Sequence, residues 1–384
     1  MDFEFTEEQR MVKDTVRRFL EKEMAAKDRK YGDIEMTREV AIELLAAIKP
    51  FGYIGHERSD DPIITSILFQ EMGRVFPSLA GLAFIAGQVG PVVAGGAHPD
   101  VVARLAAPLT DGTLIGCFAF SEPDVGSDPS SIACRAQLEG DHYVVNGSKT
   151  WISNGHIADV AVVTVQTDPA RGPAGLRQLV IDRKESPFES RDIPTIGLRA
   201  FPCSELHFSD VKVPATNKIG GWHKAEKAAS APSAGQFNFN LPRVLCADVA
   251  CGIAEQAIEV ATAYVQQRKQ FGREIGRFQL VQGMLAEMVM DYEAARLLTF
   301  QARAAIGKPG ADRKVSIAKA FATEMGVRVT SRAMECLGAM GLTLEMGLER
   351  RLRDARMWIV PDGTSQIQRL IIGRDVTGFS ATRA

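Results

Sequence analysis

The spacing of apolar residues changes twice along this chain, and that limits the folds open to it. From residue 1 to 112 the apolar residues recur with a helical period. From 113 to 230 they alternate or form short runs, and from 231 to 384 the helical period returns. One helical bundle or one β-sandwich cannot accommodate all three zones. The pattern predicts an α+β protein: an N-terminal helical domain, a central β-barrel or sandwich, and a C-terminal four-helix bundle. Thr6-Glu7-Glu8-Gln9 fits a capping box, and Met11, Val12, Val16, Phe19 and Leu20 follow on one helical face. Thr37–Ile48 and Thr65–Val75 are further helical patterns. In the middle zone Asn146-Gly147, flanked by Tyr143-Val144-Val145 and Thr150-Trp151-Ile152, predicts a hairpin turn. Residues 161–165, 178–181 and 205–208 read as more short strands. In the last zone Leu280, Met284, Leu285 and Met288 form one core stripe, and Ile317, Ala318, Phe321 and Met325 another. Nothing there reads as a strand.

Composition narrows the function classes. A formal net charge of −2 over 384 residues gives no global field for nucleic acid or an acidic membrane. Six cysteines without a C-x-x-C pair point to reduced thiols in a cytoplasmic protein. The first residues are acidic where a signal peptide would be basic. The apolar run Gly81–Ala97 reads as too short and too interrupted, by Gln88, Pro91 and glycines, to span a bilayer. Six scattered histidines without H-E-x-x-H leave no metal site expected. G-x-G-x-x-G, the Walker loop and G-x-S-x-G are also absent.

Four blocks carry candidate chemistry. Phe118-Ala119-Phe120-Ser121-Glu122-Pro123-Asp124-Val125-Gly126-Ser127-Asp128 places aromatics and hydroxyls around a turn, suited to the polar edge of a flat heterocycle; it equally reads as a strand-ending turn. Around Trp151-Ile152-Ser153-Asn154-Gly155, an indole can cover a ring face while a hydroxyl meets a ring nitrogen. Alone, this is a half-buried Trp in a hairpin. Arg268-Lys269-Gln270-Phe271-Gly272-Arg273, with Phe278-Gln279 after it, can hold a pyrophosphate or be a solvated loop. Pro361-Asp362-Gly363-Thr364-Ser365-Gln366 sets an acid just ahead of a helix. By itself such an acid is an N-cap.

Taken in order, the four blocks closely resemble the acyl-CoA dehydrogenase family, from Met1 to about Arg374. The resemblance implies FAD between the β-domain and the C-terminal helices, in a homotetramer built as a dimer of dimers. It implies that Phe118, Phe120 and Ser121 line the isoalloxazine, with Trp151 over one face and Ser153 near N5. Arg268, Gln270, Phe271, Phe278 and Gln279 would touch the FAD of a neighbouring subunit, as would the stretch holding Glu335, Gly338 and Ala339. Thr364 and Gln366 would meet the dinucleotide. Ser127, Arg243 and Arg374 match positions contacting the acyl thioester; Asn240 lies one turn from Arg243, and Gly363 follows the acid. In this likeness Asp362 removes the α-proton, its backbone N–H helps hold the thioester oxygen, and the β-hydrogen leaves as hydride to flavin N5. The substrate would be an acyl-CoA or acyl-carrier-protein thioester, and an electron-transferring flavoprotein would take the electrons.

Three departures from the family pattern stand out. The usual base is Glu, and here it is Asp362, whose carboxylate is retracted by about 1.3 Å. The loop His56-Glu57-Arg58-Ser59-Asp60-Asp61-Pro62 is shorter and more charged than usual. Ser replaces Thr at both flavin-contact hydroxyls, Ser121 and Ser153. A flavin oxidase resembling nitroalkane oxidases, which use Asp as base, remains an alternative. So does a non-catalytic, nucleic-acid-associated family member that keeps FAD.

Overall fold

A computed structural model of the protein describes residues 4–52, 60–128, 131–220 and 239–381. The shortened loop falls largely outside the described residues, at 56–59. Among the described residues six α-helices come first: α1 (Glu7–Phe19), α2 (Ala25–Tyr31), α3 (Arg38–Ile48), α4 (Pro62–Val75), α5 (Pro77–Gly96) and α6 (Pro99–Asp111). The capping box forms in both directions: the Gln9 N–H donates to Thr6 Oγ1 at 3.2 Å, and the Thr6 N–H donates to Gln9 Oε1 at 3.0 Å. The expected stripe on α1 is realised at Val16 and Leu20, which are buried, whereas Met11 is exposed.

One sequence expectation is corrected at α5. The run read as broken is a continuous helix that carries Pro91 inside it. By length and composition it is apolar enough to cross a bilayer, yet most of that window is buried inside the protein. Val89 and Val93 pack with Leu105 and Leu109 of α6 and with the sheet.

Seven strands form one sheet: β1 (Gly116–Ala119), β2 (Arg135–Glu139), β3 (His142–Ser153), β4 (Val160–Gln166), β5 (Leu176–Asp182), β6 (Glu189–Asp192) and β7 (Cys203–Pro214). β5 covers one edge of β4. β1 and then β2 occupy successive lengths of its other edge, and the sheet continues through β3, β7 and β6. Every residue of β4 is buried. Ala161, Val163 and Val165 join the interior of the β-domain, while Val160 and Val162 face α5 and α6. A strand covered on both faces reads as a near-continuous apolar run, and here Thr164 and the terminal Gln166 are the only polar residues in it.

A second correction concerns Asn146-Gly147. The pair lies inside β3, at a register shift against β7. The hairpin turn sits earlier, between Glu139 and His142, with Gly140 at φ +62°. Gly147 has φ +138°, and a Cβ there would stand 2.9 Å from Cys134 Cα. The glycine therefore serves a bulge and a close backbone approach, which look like turn chemistry in sequence.

The last zone holds α7 (Asn240–Gln267), α8 (Gln279–Ala305), α9 (Ala311–Leu337), α10 (Leu348–Met357) and α11 (Ser365–Thr377). α9 packs on each of the other four. Small residues bring these helices close: Ala247, Ala254, Ala257, Ala261, Ala318 and Ala322 are all fully buried. The expectation of no strand here is corrected by a two-residue ribbon, β8 (Lys269–Gln270) with β9 (Arg273–Glu274). Phe271 at φ +52° and Gly272 at φ +78° make its turn, the left-handed pair that a two-residue hairpin requires. The stripe expected on α8 is only half realised. Met288 is buried, but Leu280 is 86% exposed.

Candidate active site

The loop between α10 and α11 carries Asp362 at φ +57° and Gly363 at φ +94°. The helix that follows is capped by Thr364, whose Oγ1 accepts from the Ile367 N–H at 3.4 Å. Asp362 is therefore not the N-cap, and its carboxyl is available for other work.

The backbone around Asp362 is held by side-chain donors on its carbonyls. Arg243 Nε donates to the Asp362 carbonyl at 3.0 Å. Lys319 Nζ donates to the carbonyls of Ile359 at 2.5 Å and Gly363 at 2.8 Å. Gln368 Nε2 donates to the carbonyls of Asp362 at 3.3 Å and Gly363 at 2.8 Å. The carboxyl itself accepts from the Cys246 thiol, with Sγ 3.7 Å from Oδ2. Arg243 and Cys246 are three apart on α7 and so share a face. Burial pushes the Asp362 carboxyl above the ordinary carboxylate range, while Lys319, Arg243 and the thiol act against that rise. Burial likewise raises the Cys246 thiol, helped by Asp362, and lowers the Lys319 ammonium.

Aromatic contacts join this loop to the sheet. The Arg243 guanidinium lies 5.4 Å from the Phe239 ring, which meets Phe120 edge-on at 5.9 Å. Ser121 is tied to β3: its Oγ donates to the Thr150 carbonyl at 2.7 Å, and the Thr150 N–H donates to the Ser121 carbonyl at 3.0 Å. Beneath lies a buried ion pair. Lys149 Nζ reaches Glu122 Oε1 at 2.8 Å and the Phe120 carbonyl at 2.9 Å. The Glu122 carboxylate also accepts from the Ala133 and Cys134 N–H groups. Just beyond, Trp151 sits at φ +62° in a register shift of β3 and is 60% exposed. Ser153 is half-buried at the end of β3. Phe118, on β1, packs on the cluster of α5 and α6. Ser127 is exposed just beyond the turn that Glu122 and Val125 close.

The remaining candidates are spread over the bundle surface. Phe271 is 93% exposed at the tip of the ribbon, its ring 6.0 Å from Phe278. Arg268, Gln270 and Gln279 are exposed beside it, and Glu335, Gly338 and Ala339 are exposed where α9 ends. Gln366 and Arg374 are exposed on α11. Asn240 is buried and donates to Asp312 Oδ1 at 2.8 Å. The structure thus brings together Arg243, Asp362, Gly363 and Thr364, with Phe120 one ring away.

Among the described residues, six non-glycine residues have positive φ, and Trp151, Phe271 and Asp362 are three of them. Such backbone costs on the order of 1–3 kcal/mol each and clusters where function requires it. Two of the three display large rings to solvent, a surface suited to the face of a flat cofactor. Arg268 is exposed, and its guanidinium is of a kind that can pair with an anionic tail. The residues present therefore fit a flavin dinucleotide.

Lys319, Cys246 and the Glu122–Lys149 pair escaped the sequence reading. A signal existed for Lys319: it stands in Ser316-Ile317-Ala318-Lys319-Ala320-Phe321-Ala322, where a helix apolar on nearly all sides leaves no solvated face. Cys246 and Lys149 carried no comparable signal.

Family models for the N-terminal, middle and C-terminal domains of acyl-CoA dehydrogenase match residues 6–113, 117–211 and 233–377. The cyclohex-1-ene-1-carbonyl-CoA dehydrogenase of Geobacter metallireducens is 36% identical over 384 residues, covering 96% of this chain and 98% of the relative. A glutaryl-coenzyme A dehydrogenase solved with glutaryl-CoA aligns at TM-score 0.86 and 29% identity, over 100% of this chain and 98% of that one. A chain from the structure of the electron-transferring flavoprotein of Acidaminococcus fermentans aligns at TM-score 0.84 and 30% identity, over 98% of this chain and 100% of that one.

Proposed function

The chain belongs to the acyl-CoA dehydrogenase family of FAD-dependent oxidoreductases, and from that premise we propose that it desaturates an acyl thioester between the α- and β-carbons with Asp362 as base. The observation that carries this reading is the Asp362 loop. It holds a carboxyl that does not cap a helix, that burial drives above the ordinary range, and that three side chains fix through the backbone.

A thioester α-proton is weakly acidic in water. Removing it needs a base with a raised pKa and donors for the charge that develops on the thioester oxygen. Asp362 supplies the carboxylate, and its N–H is the candidate donor. Bound FAD supplies the two-electron acceptor that makes the step an oxidation. Phe120, Ser121, Trp151 and Ser153 orient its ring system, while Thr364 and Gln366 meet the dinucleotide. Phe118 backs that surface against the helices. Arg268, Gln270, Phe271, Phe278 and Gln279, with Glu335, Gly338 and Ala339, serve the cofactor of a second subunit in a homotetramer; their exposure in one chain supports that role. Ser127, Asn240, Arg243, Gly363 and Arg374 form the thioester side. The thioester is an acyl-CoA or an acyl-carrier protein, and an electron-transferring flavoprotein is the acceptor. Six free cysteines accord with a reducing, cytoplasmic setting.

The test is anaerobic mixing of holoenzyme with a panel of acyl-CoAs, then acyl-carrier proteins, following flavin absorbance and enoyl product. Bleaching with product formation is expected. Asp362→Asn should keep FAD and lose reduction; reduction at the parental rate would exclude Asp362 as base.

A further inference from the structure

The reaction needs the Asp362 carboxyl at one place, yet no regular secondary structure sets its position. Asp362 sits at φ +57°, followed by Gly363 at φ +94°, in a loop between two helices. A short acid in a left-handed loop needs outside support to hold a reacting geometry.

Lys319 is fully buried in the first third of α9. Its ammonium accounts for two carbonyls that straddle the acid, that of Ile359 before it at 2.5 Å and that of Gly363 after it at 2.8 Å. Burying an ammonium is expensive unless its donors are satisfied, and here backbone carbonyls take two of the three. The result is a rigid helix holding the loop at two points. We propose that Lys319 is a positioning residue for the reaction, clamping the loop on both sides of Asp362 so that its carboxyl meets the substrate α-carbon. The inference rests on the reading of Asp362 as base.

The groups that face the carboxyl come from two elements: Lys319 from α9, and Arg243 and Cys246 from α7. Glu324 and Asp312 act at one remove, on Lys319 and Arg243 respectively. Removing the Lys319 charge therefore leaves burial less opposed at Asp362. The acid limb of the rate profile should then move to higher pH. A lysine that only filled the core would leave that limb in place.

The experiment uses FAD-loaded Lys319→Met and Lys319→Gln, with Asp362→Asn alongside. Anaerobic flavin reduction is followed from pH 5 to 9 with the acyl-CoA that bleaches the parent. Met matches the length of the lysine stem without its donors; Gln keeps a donor without the charge. Expected for Lys319→Met is retained FAD, substrate affinity within a few-fold, a reduction rate down by roughly ten- to a hundredfold, and an acid limb shifted upward. Lys319→Gln should recover part of the rate while keeping the shifted limb. A parental rate and limb in Lys319→Met overturns the assignment. Loss of FAD from both variants also overturns it, by making Lys319 a core residue of the bundle. If Asp362→Asn itself reduces at the parental rate, the base reading fails, and the positioning role of Lys319 falls with it; a parental Lys319→Met beside an inactive Asp362→Asn overturns the positioning role alone.

Discussion

Asp362 is one methylene shorter than the glutamate usual in its family, a retraction of about 1.3 Å. Misplacement of about 1 Å can slow a reaction roughly a hundredfold, so with Asp362 as the proposed base either its loop compensates or the α-carbon is placed differently. Asp362→Glu should then gain rate on straight-chain acyl-CoAs and lose it on thioesters with a branched or ring α-carbon. Rates of flavin reduction over such a pair of substrates check this, and loss on both kinds would reject it. The thiol of Cys246 is the second residue of interest. Its S–H bond to Oδ2 favours the ionised carboxyl, against a burial that raises its pKa. A base works only when ionised, so in the role proposed for Asp362 the rate should climb with pH through that raised value. Cys246→Val removes the donor at similar volume and should move the limb further up, while Cys246→Ser should leave it at or below the parental position. Equal limbs in parent and Val variant would remove the thiol from the account.

Single elements also show where local pattern misleads. Asn146-Gly147 carries hairpin chemistry, but its glycine is used against Cys134 inside a long strand. The left-handed turn of the β8–β9 ribbon uses Phe271 where Asn or Gly is usual, so its sequence gave no hairpin signal. The crossing of α4 and α7 depends on two glycines facing backbone. A Cβ at Gly252 would lie 2.0 Å from the Gln70 carbonyl oxygen, and one at Gly73 would lie 2.7 Å from that of Val249. Neither partner is a side chain that can swing away. Gly252→Ala should therefore destabilise the protein by about 1–3 kcal/mol, as overpacked cores do. A lowered midpoint in thermal or urea unfolding is expected; an unchanged midpoint would mean that the helices separate at no cost.

At the scale of the molecule, the N-terminal helices and the bundle are joined through buried charge. Arg303 of α8 pairs with Asp248 of α7, and both reach α4: Arg303 Nε donates to Ser66 Oγ at 3.2 Å, and Gln70 Nε2 donates to Asp248 Oδ1 at 3.2 Å. Removing one partner of such a pair costs about 3–5 kcal/mol, because the other charge stays buried. Arg303→Met should show that loss, and its pH dependence has a definite sign. Burial holds the folded Asp248 carboxyl above its ordinary value, with Arg303 opposing. The folded state then binds the proton over a pH range where the unfolded state has released it. Stability from this group is present at low pH and declines as pH rises through the folded value. Without Arg303 that value climbs further, so Arg303→Met should be less destabilising at pH 5 than at pH 8. Urea unfolding at both pH values decides it; a greater loss at pH 5 would contradict this account. Around the bundle, Phe271, Leu280 and Met290 remain exposed in a single chain, and a homotetramer would give them cover.

Three zones, about half of the helices, parts of β3, β4, β5 and β7, and the capped start of α1 were legible in the sequence, because each depends on neighbours a few positions away. The four blocks and the family were legible for a similar reason. Each block is a continuous run whose turn, ring and hydroxyl content stays together wherever the chain goes. Tertiary structure decided the rest. It made the interrupted apolar run one helix, gave the cap of α11 to Thr364, and placed Cys246 on the Asp362 carboxyl. It also buried Lys319 against the Asp362 loop. In sequence a lysine reads as a solvated charge. Whether it is desolvated depends on the helices packed around it, and which carbonyls it then finds depends on a loop that local periodicity cannot position.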